Sequence, residues 1–295
     1  MDPESIPAEP PAAFGDLFGI ERSRLLALLA TVEDAAWHLP TPCPEWDVLG
    51  LCRHLVGDDL AVLSWHRDGH RGTSPPDGVT PEGFIGWLDE LQIEWVRAAR
   101  RISPRLVTEL LGWTGPMVAD VLRAAAASPR TAHVSWASSD PVPAWLDHAR
   151  ELSEYWLHRQ QLQSALGHDS DLRADVLAPV LDALRWAYPF RLDEAGLDVD
   201  GTVTVEVTGE VTTTWHLARI GLERRWGFVG APASAPLAVV SMSTEQAWRL
   251  LSNNLAVQDQ IGVIRSGNPA LLRVLLRTRA IIGAPNGPDA PDAPS

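Results

Sequence analysis

The apolar residues of this chain change their spacing part-way along, and that change limits the architecture more than any other feature. From Phe14 to Gly167 they recur three and four residues apart, the repeat of helices that each bury one face. From Gly201 onward they alternate with polar residues, as in GTVTVEVTG, where Val203, Val205 and Val207 share one side of an extended strand. Helical spacing first and strand spacing second predict an α+β chain with segregated layers.

In the first part, Phe14, Leu17, Phe18, Ile20, Leu25, Leu26, Leu28, Leu29 and Val32 define a first helix that stops before Pro40. LPTPCPEWD is a proline-punctuated loop, and Asp47 at its end is placed to cap a second helix, VLGLCRHLVGDDLAVLSWHRDG. Thr80 followed by Pro81 starts a third, striped by Phe84, Trp87, Leu88, Leu91 and Trp95. PRLVTELLGWTGPMVADVLRAAAASP reads as broken helix. A long fourth helix then begins at Pro143 or Ala144 and ends at Gly167. Together these predict a four-helix bundle over residues 13–167.

The second part adds TTTWHLARI, RRWGFV and APLAVVSMS as short strands of an antiparallel sheet. Two helices follow: TEQAWRLLSNN, capped by Ser243 or Thr244, and PALLRVLLRTRAII, opened by Asn268 and Pro269. Residues 168–283 therefore form a smaller α+β domain, joined through a helix around 172–188 whose membership the sequence leaves open. Pro/Ala/Asp mixtures at 1–12 and 284–295 predict disordered tails.

Charge removes several function classes. Lys+Arg total 24 against 38 Asp+Glu, a net charge of −14, so the surface repels phosphate backbones and anionic lipid, and neither nucleic acid nor a membrane is expected as a partner. Every one of the 24 basic residues is Arg, which excludes Schiff-base lysines, the phosphate-binding lysine of Walker loops and Ser-Lys hydrolases. Cys43 and Cys52 are too few for a disulfide scaffold, and MDPESIPAEPP lacks the basic start and apolar stretch of a signal peptide. With a mean hydropathy of −0.04 and no membrane-length apolar run, the expected location is the cytoplasm. The 13 Trp suit a packed helical core or an organic ligand's pocket, packing being the ordinary use.

One constellation carries chemistry. Glu154 and His158 stand four apart in the fourth helix and so share a face, among apolar Leu152, Trp156 and Leu157. A carboxylate and an imidazole on one rigid helix fix two ligand directions, although the same spacing also serves surface hydrogen bonds. His54, flanked by Leu51, Leu55 and Val56, supplies a third candidate from the second helix; alone it would read as a core histidine. Two nitrogens and one oxygen form a three-ligand set that leaves a position open on Zn²⁺, and Fe²⁺, Ni²⁺ or Mn²⁺ suit the same donors. His66 and His148 are reserves on other faces. Asp58, one turn after His54, is an orienting group, an extra ligand or a solvated acid. Cys43 and Cys52 read as inert thiols, with a nucleophilic role as the alternative.

PTPCPEWDVLGLCRHLVGDD, taken with Glu-x-x-x-His-Arg-Gln and Ala-Leu-Gly in EYWLHRQQLQSALG, resembles the mycothiol-dependent maleylpyruvate isomerase family of DinB/YfiT-like metal-binding bundles. STEQAWRLLSNN and SGNPALLRVLLRTRAIIG resemble the family's smaller domain, so the likeness covers nearly the whole chain. It implies metal ligands at His54, Glu154 and His158. Many relatives read His-x-Gln-Asp where this chain has Gln160 and Gln161, so a carboxylate behind the ligands is missing here. The family also holds acidic substrate with an arginine of the small domain, for which Arg273 and Arg277 are the leading candidates beside Arg265 and Arg279.

The resemblance implies an enzyme, a Zn-dependent mycothiol S-transferase or cis/trans isomerase in which a metal-bound thiolate attacks a small electrophile. Two rivals use the same fold: a metal enzyme without thiol, catalysing cyclisation, hydrolysis or rearrangement, and a non-catalytic binder of a small ligand.

Overall fold

The computed structural model describes residues 6–76, 78–79, 81–126, 131–232, 234–254 and 260–280. The expected tail at 284–295, residues 1–5 of the other tail, and Thr80 lie outside the described residues; residues 6–13 form no helix or strand. The chain divides into two compact units, Ala13–Ala127 with Leu152–Ser170, and Met1–Ala12 with Ser128–Glu151 and Asp171–Ser295.

The first unit is helical. Helix α1 (Phe14–Leu29) buries Phe14, Phe18, Leu25 and Leu29. Helix α2 (Val48–Val62) begins where expected, because the Asp47 carboxylate accepts the Gly50 N–H at 2.7 Å and so satisfies a donor of the first turn. A single π-helical turn, Leu63–Arg67, extends it. Helix α3 (Pro81–Ala98) packs on α2.

Helix α4 (Pro104–Ala126) corrects the expectation of broken helix: it continues through Pro116 and packs against both α1 and α2. Proline removes one backbone bond and crowds the preceding turn. Pro116 lies on the exposed face, however, while Val107, Leu111, Val118 and Leu122 keep an unbroken buried stripe on the other. Burial of that stripe outweighs a local loss at the solvent side.

Helix α5 (Ala144–Ala165) supplies the first unit with its residues from Leu152 onward. Two buried ion pairs fasten it and its neighbours. Arg159 donates to both Glu21 carboxylate oxygens, from Nε and, at 2.9 Å, from Nη2. Arg22 grips Asp59 with two bonds of 2.7 Å, and Tyr155 adds a third donor at 2.6 Å. Thr114 also donates to Asp59. A Cβ on Gly115 would stand 2.6 Å from Arg22 Cγ, so glycine is what lets the arginine reach past α4.

The second unit contains a short antiparallel pair, β1 (Thr131–Ala132) with β2 (Val142–Pro143), then α6 (Ala174–Leu184) and α7 (Ala187–Glu194). Its sheet comprises β3 (Thr202–Thr208), β4 (Thr213–Ile220), β5 (Arg225–Val229), β6 (Ala238–Ser243) and β7 (Ile264–Gly267) in the order β5-β4-β3-β6-β7. The antiparallel expectation holds for β3–β4, β4–β5 and β6–β7, but β3 and β6 run parallel. The reason is topological: β6 does not extend the β3-β4-β5 meander at its outer edge but returns beside β3, with Val203 opposite Ala238 and Val207 opposite Met242. Being central, β3 is covered on both faces, which explains why Thr202 and Thr204 are buried along with the valines.

Helix α8 (Thr244–Leu251) starts at Ser243 in a reciprocal capping box with Gln246. Helix α9 (Pro269–Arg277) starts at Asn268, whose side chain accepts from Ala270 and Leu271, and it ends sooner than the apolar run suggested. No helix among the described residues is long and apolar enough to cross a membrane.

Candidate metal centre

Two helices bring the three sequence-predicted ligands together. Glu154 and His158 lie one turn apart on α5, and Glu154 Oε1 is 3.1 Å from His158 Nε2. His54, two turns beyond its helix cap, faces them from α2, with its Nε2 also 3.1 Å from His158 Nε2. The three potential ligand atoms all lie within 4.8 Å of one another. Both imidazoles are only 5% exposed, whereas the Glu154 side chain keeps 26% of its surface, so the open side of the cluster is at the carboxylate.

The far nitrogen of each ring is held by an amide. His54 Nδ1 meets Gln92 Oε1 at 3.1 Å, and His158 Nδ1 meets Gln161 Oε1 at 2.8 Å. Gln92 is oriented independently, since its Nε2 donates to Asp58 Oδ1 at 3.0 Å and leaves the carbonyl for His54. A carbonyl accepts only from an N–H, so each ring has a hydrogen on Nδ1, and a ring that is neutral turns an Nε2 lone pair toward the cluster. Acceptors this close repel unless a proton or cation lies between them. The spacing suits a cation: bonds of about 2.0–2.1 Å in a tetrahedral set put neighbouring donor atoms about 3.4 Å apart.

The charge state of the pair follows from the same geometry. Burial and the neighbouring His158 push His54 down to about 3, against smaller upward contributions from Glu154 and Gln92. Burial also works to lower His158, but Cys43 and Glu154 outweigh it and hold that ring well above its ordinary value. One proton is thus readily shared by the two rings and a second is not.

A pH dependence results for the metal-free protein. His158, whose affinity for a proton is raised by folding, stabilises the fold fully below about pH 6.5, and that contribution is lost as pH rises through its folded value. His54, whose affinity is lowered, makes the unfolded chain the better proton acceptor, so stability falls as pH drops from about 6.5 toward about 3. The melting temperature of chelator-treated protein is expected to peak near pH 6.5, with the acid limb shallower in His54→Gln. An unchanged acid limb in that variant would contradict the assignment.

Other sequence candidates divide clearly. Asp58 is no solvated acid: its Oδ2 is 3.1 Å from His54 Nε2, with its side chain 13% exposed. Cys43 reaches the cluster through the fold, its thiol donating to Gln161 Oε1 at 3.1 Å, while Cys52 is buried on α2 with its thiol pushed up by burial. His66 stacks on the exposed Trp65, and His148 is buried in the second unit. Arg273 and Arg277 line a cavity of about 340 Å³ in that unit, together with Arg191, Glu194 and Thr278. Arg279 is tied to Asn253 and to two backbone carbonyls, and Arg265 is exposed on β7.

Sequence reasoning missed Gln92 and Trp46. Gln92 sits beside Leu91 in the apolar stripe of α3, where a single amide carries no signal of its partner. Trp46 stacks on the His54 ring, with centroids 4.5 Å apart at 24°, and eight of the 13 Trp are buried, so tryptophan here serves both packing and the site. Gly57 explains how α3 comes close enough: a Cβ there would lie 2.4 Å from Trp95 Nε1, which donates to Arg53 O at 2.7 Å. Gly57→Ala must displace that anchored indole, so it is expected to lower stability by about 1–3 kcal/mol in denaturant unfolding. A loss within experimental error would show that α3 shifts freely.

The comparisons agree with this architecture. The family described as mycothiol maleylpyruvate isomerase N-terminal domain matches residues 18–163. No curated protein matches the sequence. A crystal structure of the mycothiol-dependent maleylpyruvate isomerase overlays with a TM-score of 0.50 at 16% identity, covering 86% of this chain and 91% of that one. A histidine-to-alanine mutant of that isomerase gives the same values. At this identity the overlay establishes the fold, and the domain match establishes kinship: through residues 18–163, the chain belongs to the mycothiol maleylpyruvate isomerase family.

Proposed function

We propose that this protein is a metal-dependent enzyme that uses a low-molecular-weight thiol, mycothiol, on a small electrophile, as an S-transferase or a maleylpyruvate-type cis/trans isomerase. The observation that carries the reading is the convergence of His54 Nε2, His158 Nε2 and a Glu154 oxygen within 4.8 Å, in a chain of this family. These three residues are the ligands we assign, with Zn²⁺ as the ion, since two imidazoles and a carboxylate are a familiar catalytic zinc set. A divalent cation held there supplies Lewis acidity that lowers the proton affinity of a thiol, making its sulfur a nucleophile at neutral pH.

The chain's own groups do the rest. Gln92 and Gln161 hold the imidazoles by Nδ1 so that both Nε2 lone pairs face one point. Trp46 covers one face of His54 and keeps water from it. Glu154, the most exposed of the three, borders the approach for thiol and electrophile. Addition of the sulfur to an activated alkene, with a proton taken up at the neighbouring carbon, gives an adduct. Loss of that proton and expulsion of the same sulfur after bond rotation gives the isomer; retention of the carbon–sulfur bond gives the conjugate. Arg273 and Arg277, one turn apart on α9 and facing one cavity, are suited to grip an acidic group of the substrate.

The test is an assay of zinc-loaded protein with mycothiol and maleylpyruvate, following both isomerisation and thiol consumption, extended to neutral electrophiles. Turnover that vanishes in His158→Ala is expected. Arg273→Ala and Arg277→Ala should raise KM for an acidic substrate with kcat little changed, the mark of lost uniform binding. Absence of both isomerisation and thiol consumption by fully loaded protein would overturn the thiol reading.

A further inference from the structure

In a chain of net charge −14, the groove between α7 and α9 carries the opposite sign. Arg191, Arg273 and Arg277 line it against a single acid, Glu194, which is already paired with Arg191 at 2.6 Å. Among the described residues of this unit, every arginine but Arg273 and Arg277 meets a carboxylate, an amide or a backbone carbonyl. Those two are exposed and stand one turn apart, about 6 Å along α9, so the lining keeps two positive charges over. The chain itself carries an anion of matching form. Residues 284–295, APNGPDAPDAPS, lie outside the described residues, but their sequence is periodic: Pro285, Pro288, Pro291 and Pro294 recur at every third position. That is the repeat of a polyproline II helix, with three residues per turn, and it puts Asp289 and Asp292 on one face about 9 Å apart. The segment holds no basic residue. Thr278 lines the groove, and Asp289 follows Ala280 by nine residues, a reach of up to about 30 Å.

We propose that residues 284–295 dock in the α7–α9 groove, with Asp289 and Asp292 on Arg273 and Arg277, and so compete with an acidic substrate for those arginines. The competition rests on the reading that Arg273 and Arg277 grip the substrate's acidic group; the docking itself does not. Two carboxylates match the two uncompensated guanidinium groups, and the planar fork of arginine suits each of them. The long arginine side chains take up the difference between the two spacings. A proline-set segment is already extended, so little conformational freedom is lost when it binds. Exposed ion pairs are individually weak. A segment tethered this close nevertheless meets the groove at an effective concentration on the order of millimolar, which lets weak pairs fill it. Filling the groove between half and nine-tenths of the time weakens a competing anion about two- to tenfold. Because charge alone holds the segment, salt releases it.

The arginine Nε–Hε signals in NMR read the contact without any assay of turnover. The full chain is compared at low salt with a chain ending at Gly283 and with the double variant Asp289→Asn, Asp292→Asn; Arg273→Gln and Arg277→Gln assign the signals. Arg273 and Arg277 should differ between the full and the shortened chain, the double variant should match the shortened one, and about 0.5 M NaCl should erase the difference. Succinate, a dicarboxylate probe that needs neither metal nor chemistry, should move the same two signals and bind about two- to tenfold more tightly to the shortened chain. Coincident signals in the full and shortened chains would overturn the docking. A difference that grows with protein concentration would overturn it too, in favour of the same segment from a second copy. Different signals with equal succinate affinity would overturn the competition. Succinate that moves neither signal in the shortened chain would instead remove these arginines from the substrate reading, while the docking stands on its own difference. If the shortened chain does not fold, the double variant carries the same comparison.

Discussion

His54→Ala and His158→Ala are each expected to abolish stoichiometric metal uptake while the helical fold persists. Each substitution removes a nitrogen donor and leaves a space that water fills, and loss of a direct ligand costs more than the ten- to hundredfold typical of the groups behind it. The fold should survive because neither ring belongs to the buried ion pairs that join the helices, Arg22–Asp59 and Glu21–Arg159. Elemental analysis of protein purified without chelator or histidine tag, beside circular dichroism of both variants, checks the result. Near-stoichiometric metal in the parent and none in either variant is the expected pattern. Metal retained in both would remove His54, Glu154 and His158 from consideration as its ligands.

Asp59→Ala is expected to have the largest effect on stability. The Asp59 carboxylate is fully buried and accepts from Arg22, Tyr155 and Thr114, so α1, α2, α4 and α5 all end on one side chain. Removing it strands a guanidinium that is itself only 4% exposed, with one bond left to Leu111 O. Breaking a buried pair from one side costs about 3–5 kcal/mol, far more than the pair's net contribution, because the remaining charge has no partner. Replacing both members by apolar residues, Arg22→Met with Asp59→Leu, removes the stranded charge and should recover most of the loss. Denaturant unfolding of the three proteins decides the matter. A single variant within about 1 kcal/mol of the parent, or a double variant no better than the single, would show that the carboxylate is not the joint between these helices.

Much of this was legible in the chain because it depends on local spacing. The caps at Asp47, Ser243 and Asn268 announce themselves by a side chain that can reach its own helix's first turn. The Glu154 and His158 pair is equally local, since four residues are one helical turn. The change of period separates helices from sheet before any contact is known. Elsewhere local rules gave the wrong weight. Pro116 suggested a break in α4, and only the position of that proline on the solvent face shows why none occurs. Alternating valines announced a strand at β3 but not its parallel neighbour, because strand order depends on where β6 returns.

The sequence by itself determined most of the helices, four strands of the sheet, their caps and a set of three ligand types on two helices, all of which follow from periodicity and from reach along a few residues, whereas the short strands β1, β2 and β7 carried no such signal. Tertiary structure alone decided what stands behind those ligands. Gln92 and Trp46 come from elsewhere in the chain, Cys43 meets Gln161 across 118 positions, and Asp58 and Asp59, neighbours in sequence, end at the cluster and in the core respectively. The physical reason is that a helix fixes the direction of each side chain but not what lies opposite it. That is set by which helices pack together and how closely, and here Gly57 and Gly115 allow the close approaches that complete the arrangement.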